Sequence, residues 1–255
     1  MELGASVDHR NEVQASRESG CIQQNARVSA GADEDDTHVL RHSRSRVMNQ
    51  PVRMPWWKRV EDLVIGLPAL VIASPIIAAA GLATFAEDRG PVFYDDERVG
   101  VGGRIFRAYK LRTMVPGATS IGLGRLVSDR DPRITRVGRV LRRWSLDEVP
   151  QLWNVVRGDM SLVGPRPTYV EQTRRYSDHD AGRLRVKPGL TGLAQVRGRN
   201  DLPWAKRIEL DLRYIDRMSL WLDLRILVET PWVILRGEGI YGRRGVTPDY
   251  GDDTS

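Results

Sequence analysis

A run of 23 residues without a charge, Leu63–Phe85 (LVIGLPALVIASPIIAAAGLATF), constrains this chain more than any other feature. As a helix at about 1.5 Å per residue it reaches roughly 34 Å, enough to cross a bilayer core of about 30 Å. It is apolar all round, whereas a helix on a soluble surface carries one apolar stripe. Trp56, Trp57, Lys58 and Arg59 precede it, an aromatic and basic pairing suited to a membrane–water interface. Pro68 and Pro75 interrupt it. Pro75, near the middle, lacks an amide proton and crowds the carbonyl four residues back, and the preceding Ser74 can hydrogen-bond a freed carbonyl. A kinked span and a helix that dips in and returns to the same face both fit this pattern. The positive flank Arg53, Lys58 and Arg59 favours a cytoplasmic start.

The average composition hides this segment: mean hydropathy is −0.38, the value of a soluble protein. The 255 residues allow one ordinary domain or two small ones. The lone Cys21 excludes an intramolecular disulfide framework and a multi-cysteine zinc site. Residues 1–50 hold 6 Arg against 8 acidic residues and no periodic apolar run; they read as disordered, and no signal peptide is expected there. The remaining residues are therefore net +8, within a chain whose total is +6. Of the 39 basic residues 35 are Arg, whose planar fork suits phosphate. Biased codon usage gives the same excess, so the weight falls on particular positions.

Pro91–Met114 reads as a β-hairpin, with its turn at Gly100-Val101-Gly102-Gly103. Ile105, Arg107, Tyr109, Leu111 and Thr113 share one strand face; Phe106, Ala108, Lys110 and Arg112 share the other. No Walker loop follows the glycines. Residues 115–130 read as a loop, and Asp131-Pro132 supplies a helix start. Arg133, Arg136, Arg139 and Arg142 recur along that helix as a basic stripe, either a solvated face or one turned to anionic groups.

Ser145-Leu146-Asp147-Glu148 has the form of a capping box opening a helix that stops at Gly158. Helical spacing puts Leu146, Val149, Leu152, Trp153 and Val156 on a buried face and displays Asp147, Gln151 and Asn154 on the other. The acidic pair has two readings. In one, Asp147 and Glu148 only complement the helix terminus. In the other, the terminus favours ionised Asp147, a nucleophile in basic company. Arg142 precedes it, Gly164-Pro165-Arg166-Pro167 mounts an Arg between prolines, and Lys187-Pro188-Gly189 leads to Arg197-Gly198-Arg199. Helical spacing recurs over Trp204–Ile215 and Leu220–Leu235, as core or as interfacial helices.

Three blocks, FYDDERVGVGGRIFRAYKLRTM, DPRITRVGRVLRRWSLDEVPQLWNVVRGDMSLVGPRP and RLRVKPGLTGLAQVRGRN, closely resemble the bacterial sugar transferase family. These are the monotopic, polyprenyl-phosphate-dependent phosphoglycosyl transferases, and the chain resembles their small, minimal form over about residues 55–240. The resemblance implies transfer of sugar-1-phosphate from a UDP-sugar to membrane polyprenyl phosphate (undecaprenyl phosphate), with release of UMP. This initiates exopolysaccharide, O-antigen or glycoconjugate assembly. It implies Asp147 as the covalent nucleophile, Glu148 as its acid–base or metal-positioning neighbour, and Arg142, Arg166 and Arg199 as phosphate contacts. Lys110, Arg112 and Gln151 join them as candidate phosphate or nucleotide contacts. Mg²⁺ is the implied cofactor, held by Asp147 and Glu148. Val149 stands where the family has Leu, at a core-facing position.

The expected fold is mainly α with a small β-hairpin, a monotopic membrane protein with a re-entrant helix broken at Ser74-Pro75 and interfacial amphipathic helices. The expected divisions are a disordered segment 1–50, a re-entrant membrane helix 51–88, a cytoplasmic transferase domain 89–240 and a flexible tail 241–255. The implied location is the cytoplasmic face of the bacterial inner membrane, among membrane lipid, with no nucleic-acid partner and with a homodimer allowed. Two rival classes are a basic nucleic-acid-binding protein, which leaves the apolar segment unexplained, and a membrane-anchored scaffold without turnover.

Overall fold

The computed structural model describes residues 52–122, 124–237, 239–242 and 245–250. The expectations for residues 1–50 lie outside them. The described chain is mostly helical, with a small antiparallel sheet and one long apolar helix.

That helix, α1, runs unbroken from Trp56 to Asp88 with both prolines inside it. The expected break at Ser74-Pro75 does not divide it into two helices. Pro75 leaves the Val71 carbonyl without its amide donor, and the Ser74 hydroxyl donates to that carbonyl at 2.8 Å. Only 6% of its most apolar window is buried against the protein, so it is no core helix.

Both ends of α1 are tied to the same folded body. At the first, Lys58 pairs with Asp223 at 2.5 Å, and Asp62 accepts from the Ser161 hydroxyl and the Leu162 amide, each at 2.8 Å. Arg59 donates to the carbonyls of Val155 and Val156. At the second, Asp88 pairs with Arg112, and Glu87 accepts from the amides of Arg136 and Val137 at 2.7 and 3.0 Å.

The hairpin forms as expected: β1 (Phe93–Val99) and β2 (Ile105–Leu111) are antiparallel, with Phe93 opposite Leu111 and Val99 opposite Ile105. The helix expected from Asp131-Pro132 starts later, as α2 (Arg136–Arg143), because Thr135 caps it by accepting from the Gly138 amide at 2.9 Å. Asp131 instead holds Arg133, whose buried guanidinium also donates to the carbonyls of Ala118, Ile121, Gly124 and Leu126. Arg133 thus organises the loop before the helix and leaves the basic stripe to Arg136, Arg139 and Arg142.

After Ser145 comes a 3-10 turn, Leu146–Gln151, then α3 (Leu152–Arg157). Pro150 lies inside the turn and cannot donate to a carbonyl four residues back, so a regular α-helix does not begin at the acidic pair. Gly158 ends α3 in the left-handed conformation, as expected. The expected helix faces are wrong in part: Asn154 is fully buried, Gln151 is 3% exposed, and Trp153 is 51% exposed. Asn154 faces inward because its amide pairs with the open edge of β2, accepting from the Tyr109 amide and donating to the Arg107 carbonyl.

Beyond it, β3 (Ser161–Val163) and β4 (Thr168–Tyr169) precede the short helices α4 (Val170–Thr173) and α5 (Asp178–Ala181). β4 adds to β1, giving the order β2-β1-β4, while β3 pairs in parallel with β5 (Gly189–Thr191). The short α6 (Leu193–Val196) and the expected helices α7 (Trp204–Asp216) and α8 (Leu220–Arg236) follow. Leu152, Val155, Met160, Leu162, Tyr214 and Ile226 form the centre of the core. Val149 packs against that core, as the sequence expects.

The described part of 241–255 is not a loose tail. The Gly245 carbonyl accepts from the Asp129 amide, Thr247 and Val127 bond reciprocally, and Tyr250 donates to Asp180 at 2.6 Å. The Tyr250 ring also packs against Tyr176 and Trp204, an aromatic contact that the short, polar segment conceals in sequence.

The Lys58–Asp223 pair is almost wholly removed from water, so deleting one partner strands the other charge. Asp223→Ala should lower stability by about 3–5 kcal/mol. Denaturation in detergent checks this, and an unchanged transition would contradict it.

Candidate active site

The glycine turn and the register of the hairpin bring Lys110, on β2, over the turn that carries Asp147 and Glu148. Lys110 Nζ donates to Glu148 Oε1 at 2.7 Å. Arg166, held between Pro165 and Pro167, grips the same carboxylate as a fork, Nη2 to Oε1 at 2.5 Å and Nη1 to Oε2 at 3.1 Å. Burial alone raises a carboxyl, but the Arg166 and Lys110 charges and their hydrogen bonds outweigh it and hold Glu148 well below its usual range. The same carboxylate raises Arg166.

Asp147 differs from its neighbour. Among the described residues no hydrogen bond or ion pair holds its carboxylate. Burial pushes its pKa up, and the adjacent Glu148 charge adds to this; Lys110, Arg142 and Arg166 oppose both. The expectation that a helix terminus favours its ionised form therefore fails here: the local turn is 3-10, and cations from other elements supply the balancing charge. The result is an unclasped carboxylate in a cationic ring, beside one that is clasped.

The capping box is also absent. Ser145 adopts φ 53°, the left-handed region, and makes no side-chain cap. Arg199 adopts φ 51°, and its Nη2 lies 3.4 Å from the Ser145 hydroxyl. Two of the three non-glycine residues with positive φ among those described thus meet at this site. Burial and then the Arg166 charge lower the Arg199 pKa. Arg142 is aimed by Thr113, whose hydroxyl accepts from Nε at 2.8 Å.

The structure therefore gathers Asp147, Glu148, Lys110, Arg142, Arg166 and Arg199. Arg112 is elsewhere: it forks onto Asp88 and donates to the carbonyls of Pro91 and Met114. Gln151 is buried rather than displayed. Sequence reasoning missed Thr113, which carries no local signal, and the left-handed Ser145. No cluster of three metal-ligating side chains occurs among the described residues. One free and one paired carboxylate fit an ion that takes its other oxygens from a phosphorylated substrate, as Mg²⁺ does.

A family model for bacterial sugar transferases matches residues 53–237. The undecaprenyl-phosphate galactose phosphotransferase of Salmonella typhimurium is 42% identical over 198 residues, covering 72% of this chain and 41% of that protein. The uncharacterized sugar transferase EpsL of Bacillus subtilis is 42% identical over 192 residues, covering 75% of this chain and 94% of that protein. The undecaprenyl-phosphate glucose phosphotransferase of Komagataeibacter xylinus is 42% identical over 187 residues, covering 68% of this chain and 35% of that protein. The chain spans less than half the length of the Salmonella and Komagataeibacter relatives.

The depressed pKa of Glu148 adds stability above the ordinary carboxyl value of 4.5, and this is lost as pH falls toward the folded value. The melting-temperature gap between the native chain and Glu148→Gln should be widest near about pH 6–7 and close below about pH 4.5. A gap independent of pH would refute the assignment.

Proposed function

The chain belongs to the bacterial sugar transferase family, and from that premise we propose that it transfers sugar-1-phosphate from a UDP-sugar to a membrane polyprenyl phosphate. The observation that carries this reading is the unclasped Asp147 beside the clasped Glu148, within reach of the charges of Lys110, Arg142 and Arg166. A carboxylate oxygen of Asp147 attacks the phosphorus that bears the sugar. The bond from that phosphorus to the bridging oxygen breaks, and UMP leaves with the oxygen. A phosphate oxygen of the polyprenyl acceptor then attacks the aspartyl-linked phosphorus, giving polyprenyl-diphosphate-sugar and restoring the Asp147 carboxylate.

The surrounding residues divide the work. Arg142, positioned by Thr113, and Arg199 bind phosphoryl oxygens. Arg166 and Lys110 keep Glu148 ionised, which prevents it from donating a proton to Asp147 and leaves it as an oxygen ligand. Asp147 and Glu148 would hold Mg²⁺ together with the donor phosphates, and the ion would neutralise their charge. The acidic pair also separates this reading from a nucleic-acid-binding protein, which has no use for an unpaired carboxylate within an arginine cluster.

We place the active site on the cytoplasmic face of the inner membrane, with α1 entering and leaving on that side. The support is that Lys58, Arg59 and Asp62 at one end and Glu87 and Asp88 at the other bond to one body, which cannot lie on both sides of a bilayer. Exposed Val64, Leu67, Val71, Ile72 and Ile76 on α1 and Trp221, Val228 and Trp232 on α8 are the lipid-facing surface.

Asp147→Asn should reduce UMP release from a panel including UDP-galactose and UDP-glucose by roughly 1,000-fold or more, with UDP binding retained. Near-native turnover would overturn the covalent step. In a Cys21→Ser background, Arg89→Cys should react with an impermeant maleimide in inside-out vesicles and stay protected in intact cells. Labelling only from outside would sink the re-entrant topology.

A further inference from the structure

Pro165 and Pro167 stiffen the segment that carries Arg166, but they also strip it of two amide donors. Such a segment has to be held largely through its carbonyls. At its start the backbone does this: the Gly164 amide donates to the Thr191 carbonyl at 2.9 Å, and the Gly189 amide donates to the Pro165 carbonyl at 2.8 Å. The next two carbonyls are taken by side chains. Arg183 Nη2 donates to the Arg166 carbonyl, and Arg98 Nη1 donates to the Pro167 carbonyl, each at 3.1 Å.

Both of these arginines are buried, and each is fixed by its own partners. Arg98 pairs with Asp96 at 2.9 Å and lies over the Tyr169 ring, 3.5 Å from its centre. Arg183 pairs with Asp211 on α7 through the same Nη2, and its Nη1 donates to the Tyr176 hydroxyl at 2.8 Å. The Trp204 ring lies 5.6 Å away, and Tyr250 packs against both Tyr176 and Trp204. A buried ion pair adds little stability over well-packed apolar side chains. What the Arg183–Asp211 pair supplies that an apolar pair lacks is a donor aimed at the Arg166 carbonyl. Arg166 needs such an anchor, because its own side chain is 45% exposed and its direction follows from its backbone. The carboxylate it grips is adjacent in the chain to Asp147, so a loose Arg166 has a second carboxylate to pair with, and that pairing would mask the nucleophile.

We infer that Arg183 is a positioning residue for the transfer: its guanidinium fixes the Arg166 backbone, which keeps the Arg166 fork seated on Glu148 and off Asp147. This rests on the transfer reading above. Arg183 acts through Arg166, so its loss matters only while Arg166 is present.

The experiment uses the full chain in nanodiscs. Arg183→Lys keeps a charge for Asp211 but not the planar fork that spans carboxylate, phenol and carbonyl. Arg183→Gln with Asp211→Asn removes both charges and strands neither. Each should lower kcat for UMP release about tenfold, with the KM values for UDP-sugar and polyprenyl phosphate within about twofold. In an Arg166→Ala background the same changes should cost less than about twofold, since the residue they position is gone. A loss as large in that background as in the native one, unchanged kcat, or failure of both variants to fold would overturn the inference, the first and last because Arg183 would then serve the fold alone. Absence of UMP release by the native chain would instead refute the transfer reading. The melting temperature then still decides the matter: the gap that Glu148→Gln opens near about pH 6–7 should shrink by about half when Arg183→Lys is present. An undiminished gap means that the fork does not depend on Arg183.

Discussion

The Lys58–Asp223 pair and the Asp88–Arg112 fork hold the two ends of one apolar helix against the same folded body. Glu87 ties the second end further by capping the first amides of α2, and Arg59 ties the first end to the last carbonyls of α3. These two helices flank the turn that carries Asp147. The long apolar helix and the turn that carries Asp147 and Glu148 are therefore parts of one framework. Polar residues of α1 are buried at its ends, whereas much of its apolar middle is exposed. This inverts the pattern of a soluble core helix and fits a surface where the solvent on one side is hydrocarbon.

The site itself depends on unequal treatment of two adjacent carboxylates. Glu148 is taken by a lysine from β2 and an arginine from the proline-flanked segment, while Asp147 has cations nearby but no direct partner. Two neighbouring acids left in a common environment would repel and share protons. Clasping one leaves the other available. The left-handed Ser145 and Arg199 are the backbone strain that accompanies this arrangement, retained where the hydrogen bonds of the surrounding loops hold them.

Much of the scaffold was legible in sequence because its signals are local. Gly100, Gly102 and Gly103 marked the hairpin turn, Gly158 marked the end of α3, and the apolar periodicity of 204–215 and 220–235 marked α7 and α8. The misread elements are those where a local signal met a stronger distant partner. Asp131-Pro132 looks like a helix start, but Asp131 serves Arg133 and Thr135 takes the cap. Ser145 through Glu148 looks like a capping box, yet Pro150 and the left-handed Ser145 make a 3-10 turn there. Asn154 sits at a position that spacing alone exposes, but the open edge of β2 needs its amide. The stretch after residue 240 reads as polar and loose, but among its described residues Pro248 and Tyr250 are held by partners more than forty positions away, Trp204 and Asp180.

By itself the sequence determined that a long uncharged segment must meet something other than water, that Asp147 and Glu148 lie in arginine-rich surroundings, and that the whole resembles a sugar transferase. Those are matters of composition, length and motif, which need no folding to be read. Only the tertiary structure decided which carboxylate is clasped, that Arg112 belongs to the helix end rather than to the site, and that Gly239 and Ile240 are bonded to Asn200, next to Arg199. The physical reason is the same in each case. A charged or hydrogen-bonding side chain is settled by the partner that desolvation leaves it, and that partner comes from a different element of the chain.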